Sequence, residues 1–189
     1  MKQLSDWENN KGINFLKKAG IKEDYKVLDF GCNNGNYSIP ASKIIGENGR
    51  VYAIDNNSYA LEILKEKAKL LPYKNIKTVN NNGNLNINLK SNYIDFVLLY
   101  DILHYLKLEN RKTLYQEIYR VLKPNSILSV YPKHIIGNMP LMEFTDISLR
   151  ELINEIENNG FEFIIKICSV LSHDEHLEEG CIINLRKRE

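Results

Sequence analysis

Apolar runs of strand length alternate with stretches of helical spacing along most of the chain. The run KVLDF at 26–30 is followed by SIPASKIIG at 38–46, where the spacing becomes helical and a glycine closes the segment. A second pair follows, with the strand VYAID at 51–55 and the helix SYALEILKEKAKLL at 58–71, which Pro72 ends. This part of the chain therefore predicts two consecutive β-α units.

The same alternation continues towards the C-terminus. The Asn-rich stretch 80–88 is a loop by composition, and the most apolar run, YIDFVLLY at 93–100, follows it as the fourth strand. A helix at 145–160 has a polar start at Thr145-Asp146 and a glycine at its end. The other predicted elements are strands at 76–79, 126–132, 161–171 and 181–188 and a helix at 110–122.

This alternation predicts an α/β fold, in which a mostly parallel sheet carries helices on both faces, because each crossover must lay its helix on the sheet. Ligands of such sheets bind beyond the carboxyl ends of the strands, and the loop after Phe30 belongs at that place. Residues 1–20 are expected to form an N-terminal helix or a flap over the site. We expect 1–189 to be a single domain with its core at 21–189.

Composition narrows the class of protein. The chain has 189 residues, 43% of them hydrophobic and 26% charged, and its net charge of +1 gives no global field for nucleic acid or anionic lipid. No apolar segment has the length of a signal peptide core or a membrane span, so we expect no membrane association and a cytoplasmic location. Cys32, Cys168 and Cys181 are far apart, which predicts reduced thiols.

Four motifs resemble one enzyme family. The stretches VLDFGCNNGNY, VYAID, YIDFVLLYDILHYL and YRVLKPNSILSV occur in the order and at about the spacing of the class I S-adenosylmethionine-dependent methyltransferases. This resemblance implies a Rossmann-like methyltransferase fold with about seven strands in the order 3-2-1-4-5-7-6, the last-numbered strand antiparallel. The family usually continues the fourth motif with two glycines, where this chain has Asn125 and Ser126.

The loop after the first strand has chemistry that suits the implied cofactor. Gly31 and Gly35 carry no side chain, so a ligand can approach the main chain closely. Asp29 would lie near the ammonium of the methionine moiety, which is the role of this position in the family. Asp55 ends the second strand, where a carboxylate can accept hydrogen bonds from both ribose hydroxyls.

A nicotinamide cofactor is the competing interpretation. Its fingerprint G-x-G-x-x-G, started at Gly31, requires glycine where this chain has Asn33 and Asn36. The second glycine admits a pyrophosphate, so its absence disfavours a dinucleotide more than S-adenosylmethionine, which has no phosphate. Asn is the non-glycine residue that best tolerates positive φ, so the backbone path can survive at Asn33.

The resemblance implies further cofactor contacts. The loop 80–84 resembles the segment that holds the adenine, with Asn82 as the acceptor from the exocyclic amine, and a polar surface loop is the alternative. Tyr37 and Tyr100 could wall the cofactor or belong to ordinary packing. The predicted cofactor-binding residues are Asp29, Gly31, Asn33, Gly35, Tyr37, Asp55, Asn56, Asn82, Gly83 and Tyr100.

The segment YDILHYL at 100–106 is the candidate for the acceptor side. Methyl transfer is an in-line displacement on an activated carbon, so a base is needed only when the nucleophile must lose a proton. Asp101 and His104 share one face if the segment is helical, and they are the predicted catalytic residues. A capping Asp and a surface His are the alternative. Further pocket candidates lie just beyond the fifth strand, at Tyr131, Lys133 and His134.

The stretch His173-Asp174-Glu175-His176 suggests metal binding, but it falls at an expected hairpin tip without a second ligand cluster, so no metal site is predicted. We expect an enzyme that transfers a methyl group from S-adenosylmethionine to a small-molecule acceptor and leaves S-adenosylhomocysteine. The chain has no nucleic-acid methylation signature such as N-P-P-Y, which disfavours nucleic acid as a partner, and a homodimer is left open. The alternatives are a catalytically silent cofactor-binding module that partners another protein and a nicotinamide oxidoreductase.

Overall fold

A computed structural model describes residues 5–135, 146–173 and 176–189. The chain forms two compact units, of which the first comprises Met1–Asn84 and Cys168–Gly180 and the second comprises Leu85–Ile167 and Cys181–Glu189. The single domain expected from the sequence stays a prediction. No helix among the described residues combines the length and the apolar character that crossing a bilayer requires.

All the predicted strands are found within the described residues. They are β1 (Lys26–Phe30), β2 (Arg50–Asp55), β3 (Ile76–Asn80), β4 (Ile94–Tyr100), β5 (Leu122–Tyr131), β6 (Phe161–His173) and β7 (His176–Lys187). These described strands form a seven-stranded sheet in the order β3-β2-β1-β4-β5-β7-β6, which confirms the order that the resemblance implied. Neighbours β1 and β2, β2 and β3, and β4 and β5 are parallel, whereas β7 runs antiparallel to β5.

The helices also fall close to their predicted positions. They are α1 (Gly12–Ala19), α2 (Ser38–Ile45), α3 (Ser58–Lys69), α4 (Leu108–Val121) and α5 (Leu149–Glu157). A π-helical turn, Trp7–Lys11, precedes α1, so 7–19 is helical, and the placement of this segment over the site stays a prediction. A 3-10 turn, Leu103–Tyr105, lies between β4 and α4.

The start of α5 corrects the sequence prediction. The Ser148 side chain accepts a hydrogen bond from the Glu151 backbone N–H, and the Glu151 carboxylate accepts one from the Ser148 N–H. This capping box satisfies two amides that a helix start leaves without partners. Asp146 is therefore not the start of the helix, as the sequence predicted, because the N-cap is Ser148. Thr145 lies outside the described residues.

Parallel register in the first unit brings three loops to one edge of the sheet. Phe30 of β1 pairs with Ile54 of β2, and Asp55 pairs with Asn80 of β3. The carboxyl ends of all three strands therefore end level with one another, and the loops that follow them emerge side by side. The core beneath is formed by fully buried side chains, among them Trp7, Leu16, Val27, Leu28, Ala41, Ile45, Val51, Ala53 and Leu64.

The second unit has its own core and a buried polar link between two helices. The Arg111 guanidinium of α4 donates to both carboxylate oxygens of Glu155 on α5, at 2.8 and 2.7 Å. The Tyr115 hydroxyl donates to the same carboxylate at 2.9 Å. Because paired charges cost less to bury, this link joins α4 and α5 without an unpaired ion. The fully buried apolar side chains of this unit include Phe96, Leu98, Leu114, Val121, Leu128, Leu152, Ile156, Phe161 and Leu185.

Two of the three predicted reduced cysteines are not reduced. Cys168 and Cys181 are disulfide-bonded, whereas Cys32 is a buried free thiol. The prediction of reduced thiols was therefore wrong for these two residues, because separation along the chain does not exclude a disulfide. Asp174 and Glu175, between those strands, lie outside the described residues.

Candidate cofactor and acceptor sites

The loop after β1 follows a left-handed path that explains its residue types. Gly31, Asn33 and Gly35 have φ values of 81°, 45° and 88°. Asn tolerates positive φ better than other non-glycine residues, so Asn33 keeps the path that a glycine would take. At Gly35 a Cβ would stand 2.3 Å from Cδ1 of Leu64, which is fully buried on α3. Glycine is therefore required at this position by conformation and by space.

The Asp55 carboxylate ties this loop to the end of β2. Its Oδ2 accepts a hydrogen bond from the Asn33 backbone N–H at 2.7 Å, and its Oδ1 accepts one from the Asn57 N–H at 2.8 Å. A carboxylate has about four acceptor positions, so each oxygen keeps capacity for a ligand hydroxyl. The contact fixes both the position of the Asn33 backbone and the orientation of the carboxylate.

Asp29 is a buried carboxyl group near the end of β1. Its side chain is 2% exposed, and its Oδ2 accepts a hydrogen bond from the Ser38 hydroxyl at 2.6 Å. Burial raises the pKa of Asp29 to about 7, with the Ser38 hydrogen bond lowering it and the negative charge of Asp55 raising it. A cationic group beside Asp29 would favour its ionised form. Its contact with the ammonium of a cofactor stays a prediction.

Cys32 lies between these carboxylates in sequence but is not a reactive thiol. It is buried, and burial raises the pKa of Cys32, with the charges of Asp29 and Asp55 adding to that shift. Because the thiolate is the nucleophilic form, Cys32 stays an unreactive thiol at neutral pH.

The Asn-rich loop after β3 is held by its own side chains. The Asn80 side chain accepts from the Asn82 backbone N–H at 2.8 Å, and the Asn81 amide donates to the Asn84 carbonyl at 2.8 Å. Asn82 and Gly83 have φ values of 49° and 78° and are exposed, as is Asn56 after β2. The loop has a defined path, and the adenine contact of Asn82 stays a prediction.

The N-terminal turn contacts the loop after β1, which the sequence did not reveal. The Trp7 indole N–H donates to the Asn36 carbonyl at 2.7 Å. The Lys67 ammonium of α3 lies 2.7 Å from the Glu8 carboxylate and donates to the Asn34 carbonyl at 3.1 Å. A single tryptophan in a polar N-terminal stretch was the available signal, and it did not specify a partner.

Tyr37 is a packed residue that contacts the end of β6 within the first unit. Its hydroxyl donates to the Ser172 carbonyl at 2.7 Å, and its ring meets Trp7 edge to face at 5.4 Å. The Asn36 side chain donates to the Ser172 hydroxyl at 3.0 Å. These contacts favour the packing interpretation of Tyr37, and its contact with a cofactor stays a prediction.

The second unit brings the predicted acceptor residues together. His104, in the 3-10 turn after β4, is 3% exposed, and its Nδ1 lies 3.5 Å from Oδ1 of Asp101. His134 is 4% exposed, and its ring centroid lies 4.4 Å from that of His104. The surface-His alternative is therefore wrong. Asp101 and His134 have φ values of 58° and 61°, a strained backbone for non-glycine residues that is common at functional sites.

Tyr100, the last residue of β4, is buried beside this group. Its hydroxyl lies 2.8 Å from the Ser129 hydroxyl of β5, and its ring meets that of Tyr131 edge to face at 6.3 Å. Its role as a wall of the cofactor site stays a prediction.

Comparisons with known proteins agree with this arrangement. A protein-family model described as a methyltransferase domain matches residues 27–125, a little over half of the chain. The solved structure of an S-adenosylmethionine-dependent methyltransferase from Aquifex aeolicus has a TM-score of 0.74 and 27% identity, over 97% of this chain and 92% of that chain.

Two curated relatives have assigned names. A demethylmenaquinone methyltransferase of Oceanobacillus iheyensis is 28% identical over 58% of this chain and 44% of its own length. A probable cobalt-precorrin-6B C(15)-methyltransferase of Saccharolobus solfataricus is 41% identical over 29% of this chain and 27% of its own length. The chain thus spans less than half of either relative.

Proposed function

We propose that the chain, which belongs to the class I S-adenosylmethionine-dependent methyltransferases, transfers a methyl group from S-adenosylmethionine to a small-molecule acceptor. The observation that carries the proposal is the Asp55 carboxylate, which accepts a hydrogen bond from the Asn33 backbone N–H, with Asp29 buried near the end of the neighbouring strand. S-adenosylmethionine supplies a methyl group that its sulfonium already activates. The residues of this chain therefore have to bind and orient the cofactor and the acceptor and to exclude water.

Asp55 is assigned to the ribose hydroxyls. Two backbone N–H groups hold its carboxylate in one orientation, and both oxygens keep acceptor capacity. Because these partners are backbone atoms of the loop and of the α3 N-cap, the carboxylate is oriented before a ligand arrives.

Asp29 is assigned to the ammonium of the methionine moiety. With a pKa raised to about 7, the buried carboxyl is only partly ionised near neutral pH. A bound ammonium stabilises the carboxylate form and offsets the cost of its burial. The Ser38 hydroxyl holds one oxygen in place during this change.

The two aspartates near the ends of β1 and β2 favour a cofactor that has no phosphate. Asp29 and Asp55 create a negative potential at the strand ends, which repels a pyrophosphate and attracts the positive sulfonium and ammonium groups. Asn33 also places a side chain where a dinucleotide fingerprint has glycine. Both features favour S-adenosylmethionine over a nicotinamide dinucleotide.

Acceptor contact is assigned to the group formed by Asp101, His104 and His134. A buried imidazole with a carboxylate oxygen 3.5 Å from its Nδ1 can accept a proton from an acceptor hydroxyl or orient an acceptor that has none to lose. The names of the relatives, which refer to a quinone and a corrin precursor, support a small-molecule acceptor.

The deciding experiment is calorimetric titration of the protein with S-adenosylhomocysteine. We expect wild type to bind and Asp55→Asn to bind more weakly by about ten- to a hundredfold, since a hydrogen bond to a charged group contributes about 1.5–3 kcal/mol. Glu47→Gln changes an exposed carboxylate of the same unit and should bind like wild type. Absence of binding by wild type, or binding of NAD in its place, contradicts the proposal.

Turnover is tested separately with S-adenosylmethionine and a panel of quinols, tetrapyrrole precursors and other small acceptors. We expect S-adenosylhomocysteine to accumulate with at least one acceptor class. Binding without turnover across the panel favours the silent cofactor-binding module instead.

A further inference from the structure

The strand ends of the β6–β7 hairpin place two imidazoles around one carboxylate. His173 is the last residue of β6, and His176 is the first residue of β7. Glu178 lies two residues after His176, so both side chains lie on the same face of β7. The three side chains belong to the same unit of the chain.

Their ligand atoms lie at distances that suit one shared ion. The Nδ1 of His173 lies 3.5 Å from Oε1 of Glu178, and the Nε2 of His176 lies 3.7 Å from Oε2 of the same carboxylate. One ligand atom from each of the three side chains can be chosen so that all lie within 4.8 Å of one another. Ligands bound at about 2.1 Å in a tetrahedron stand about 3.4 Å apart, so small side-chain rotations complete the geometry.

We propose that His173, His176 and Glu178 form a binding site for a divalent first-row transition metal ion, with Zn²⁺ as the reference ion. Two imidazole nitrogens and one carboxylate suit Zn²⁺, Ni²⁺ or Cu²⁺, whereas Mg²⁺ and Ca²⁺ prefer all-oxygen sets. The sequence predicted no metal because it could not show that Glu178 joins the two histidines. This proposal does not depend on the proposed function.

The surroundings favour a site that is both accessible and positioned. The His176 side chain is 59% exposed, so an ion can reach it from solvent. Ser172, which precedes His173, is held by the Tyr37 hydroxyl at 2.7 Å and by the Asn36 amide at 3.0 Å. These contacts fix the end of β6, and a fixed ligand loses less freedom when it binds an ion. Three protein ligands leave a fourth position for water or another ligand.

The test is calorimetric titration of chelator-treated, tag-free protein with Zn²⁺, together with Co²⁺ absorption spectra. Wild type should bind one equivalent and should show ligand-field bands with Co²⁺. His176→Ala and Glu178→Gln should each weaken binding by more than about a hundredfold, the upper end of what a change outside the ligand set causes. Both changed side chains are at least partly exposed, so the fold should be retained.

Glu179→Gln is the matched control, because it changes the neighbouring exposed carboxylate and should bind Zn²⁺ like wild type. The proposal is overturned if wild type shows no saturable binding. It is also overturned if His176→Ala and Glu178→Gln bind as tightly as wild type, because the ion then sits elsewhere. Equal weakening by Glu179→Gln would indicate diffuse attraction to surface charge and would overturn it as well.

Discussion

Replacement of Asp29 by Asn removes an ionisable group while it keeps the shape of the side chain. The Asn carbonyl oxygen can still accept the hydrogen bond from the Ser38 hydroxyl. The variant therefore isolates the free-energy cost of ionising a carboxyl group in a residue that is 2% exposed.

The sign and size follow from the raised pKa. Asp29 has a pKa of about 7 in the folded protein and of 3.8 when it is not buried. Between these two pH values the unfolded chain has released a proton that the folded chain retains. Wild-type stability therefore falls as pH rises through this window and is constant above it. A shift of about 3 units at about 1.36 kcal/mol each amounts to about 4 kcal/mol, of which about 3 kcal/mol falls between pH 5 and 8.

The assay is urea unfolding of wild type and Asp29→Asn at half-unit steps from pH 5 to pH 8. The free energy of unfolding of the variant, minus that of wild type, should rise by about 3 kcal/mol across the range. Other titrating groups are common to both proteins and cancel in this difference. Glu47→Gln, at an exposed position, should give a flat difference.

A flat difference for Asp29→Asn would refute the reasoning, because it would mean that Asp29 ionises equally in the folded and unfolded chains. A carboxylate that the fold stabilises would have a pKa below 3.8, and it would likewise leave the difference flat between pH 5 and pH 8. S-adenosylhomocysteine should bind the variant more weakly than wild type, since the ammonium loses its charged partner.

Three further predictions follow from the same contacts. Gly35→Ala should lower the free energy of unfolding by about 1–3 kcal/mol more than Gly83→Ala. Both positions have positive φ, but only a Cβ at position 35 meets a buried leucine. Equal losses in urea unfolding would contradict the close contact. His104→Gln should lower turnover with an acceptor that must lose a proton by about a hundredfold or more while S-adenosylhomocysteine affinity is unchanged, and full turnover would remove His104 from the acceptor site. Trp7→Phe keeps an aromatic ring but loses the hydrogen bond to the Asn36 carbonyl and part of a fully buried side chain, so the free energy of unfolding should fall by about 1 kcal/mol or more. Thermal unfolding followed by circular dichroism measures this loss, and an unchanged midpoint would contradict it.

The β-α units were accessible from local sequence because apolar runs, caps and glycines act within a few residues. β1 was predicted to the residue, and the strands and helices between β1 and β4, with β4 itself, differ from prediction by two residues or fewer. The starts of β5 and β7 were predicted too late. β5 begins at Leu122, where it pairs with Ile94 before a register shift, and β7 begins in a polar stretch that lacks strand alternation. A strand of that kind forms because a partner strand is present.

The candidate site divides in the same way. The chain itself determined where Gly31, Asn33 and Gly35 can turn the backbone, since left-handed conformations depend on the residue that adopts them. Only the folded structure showed that the Asp55 carboxylate accepts a hydrogen bond from the backbone N–H of Asn33, 22 residues away, and that His104 is buried.

The sequence by itself determined the alternation of strands and helices and the residue types of the loops, because these depend on neighbours along the chain. The tertiary structure decided which groups lose water and which distant side chains meet. Asp29 is an ordinary aspartate in the sequence, and its raised pKa comes from the strands and helix packed around it. Glu178 likewise becomes a candidate ligand only where adjacent strand ends place it beside His173 and His176, because coordination depends on distances in space.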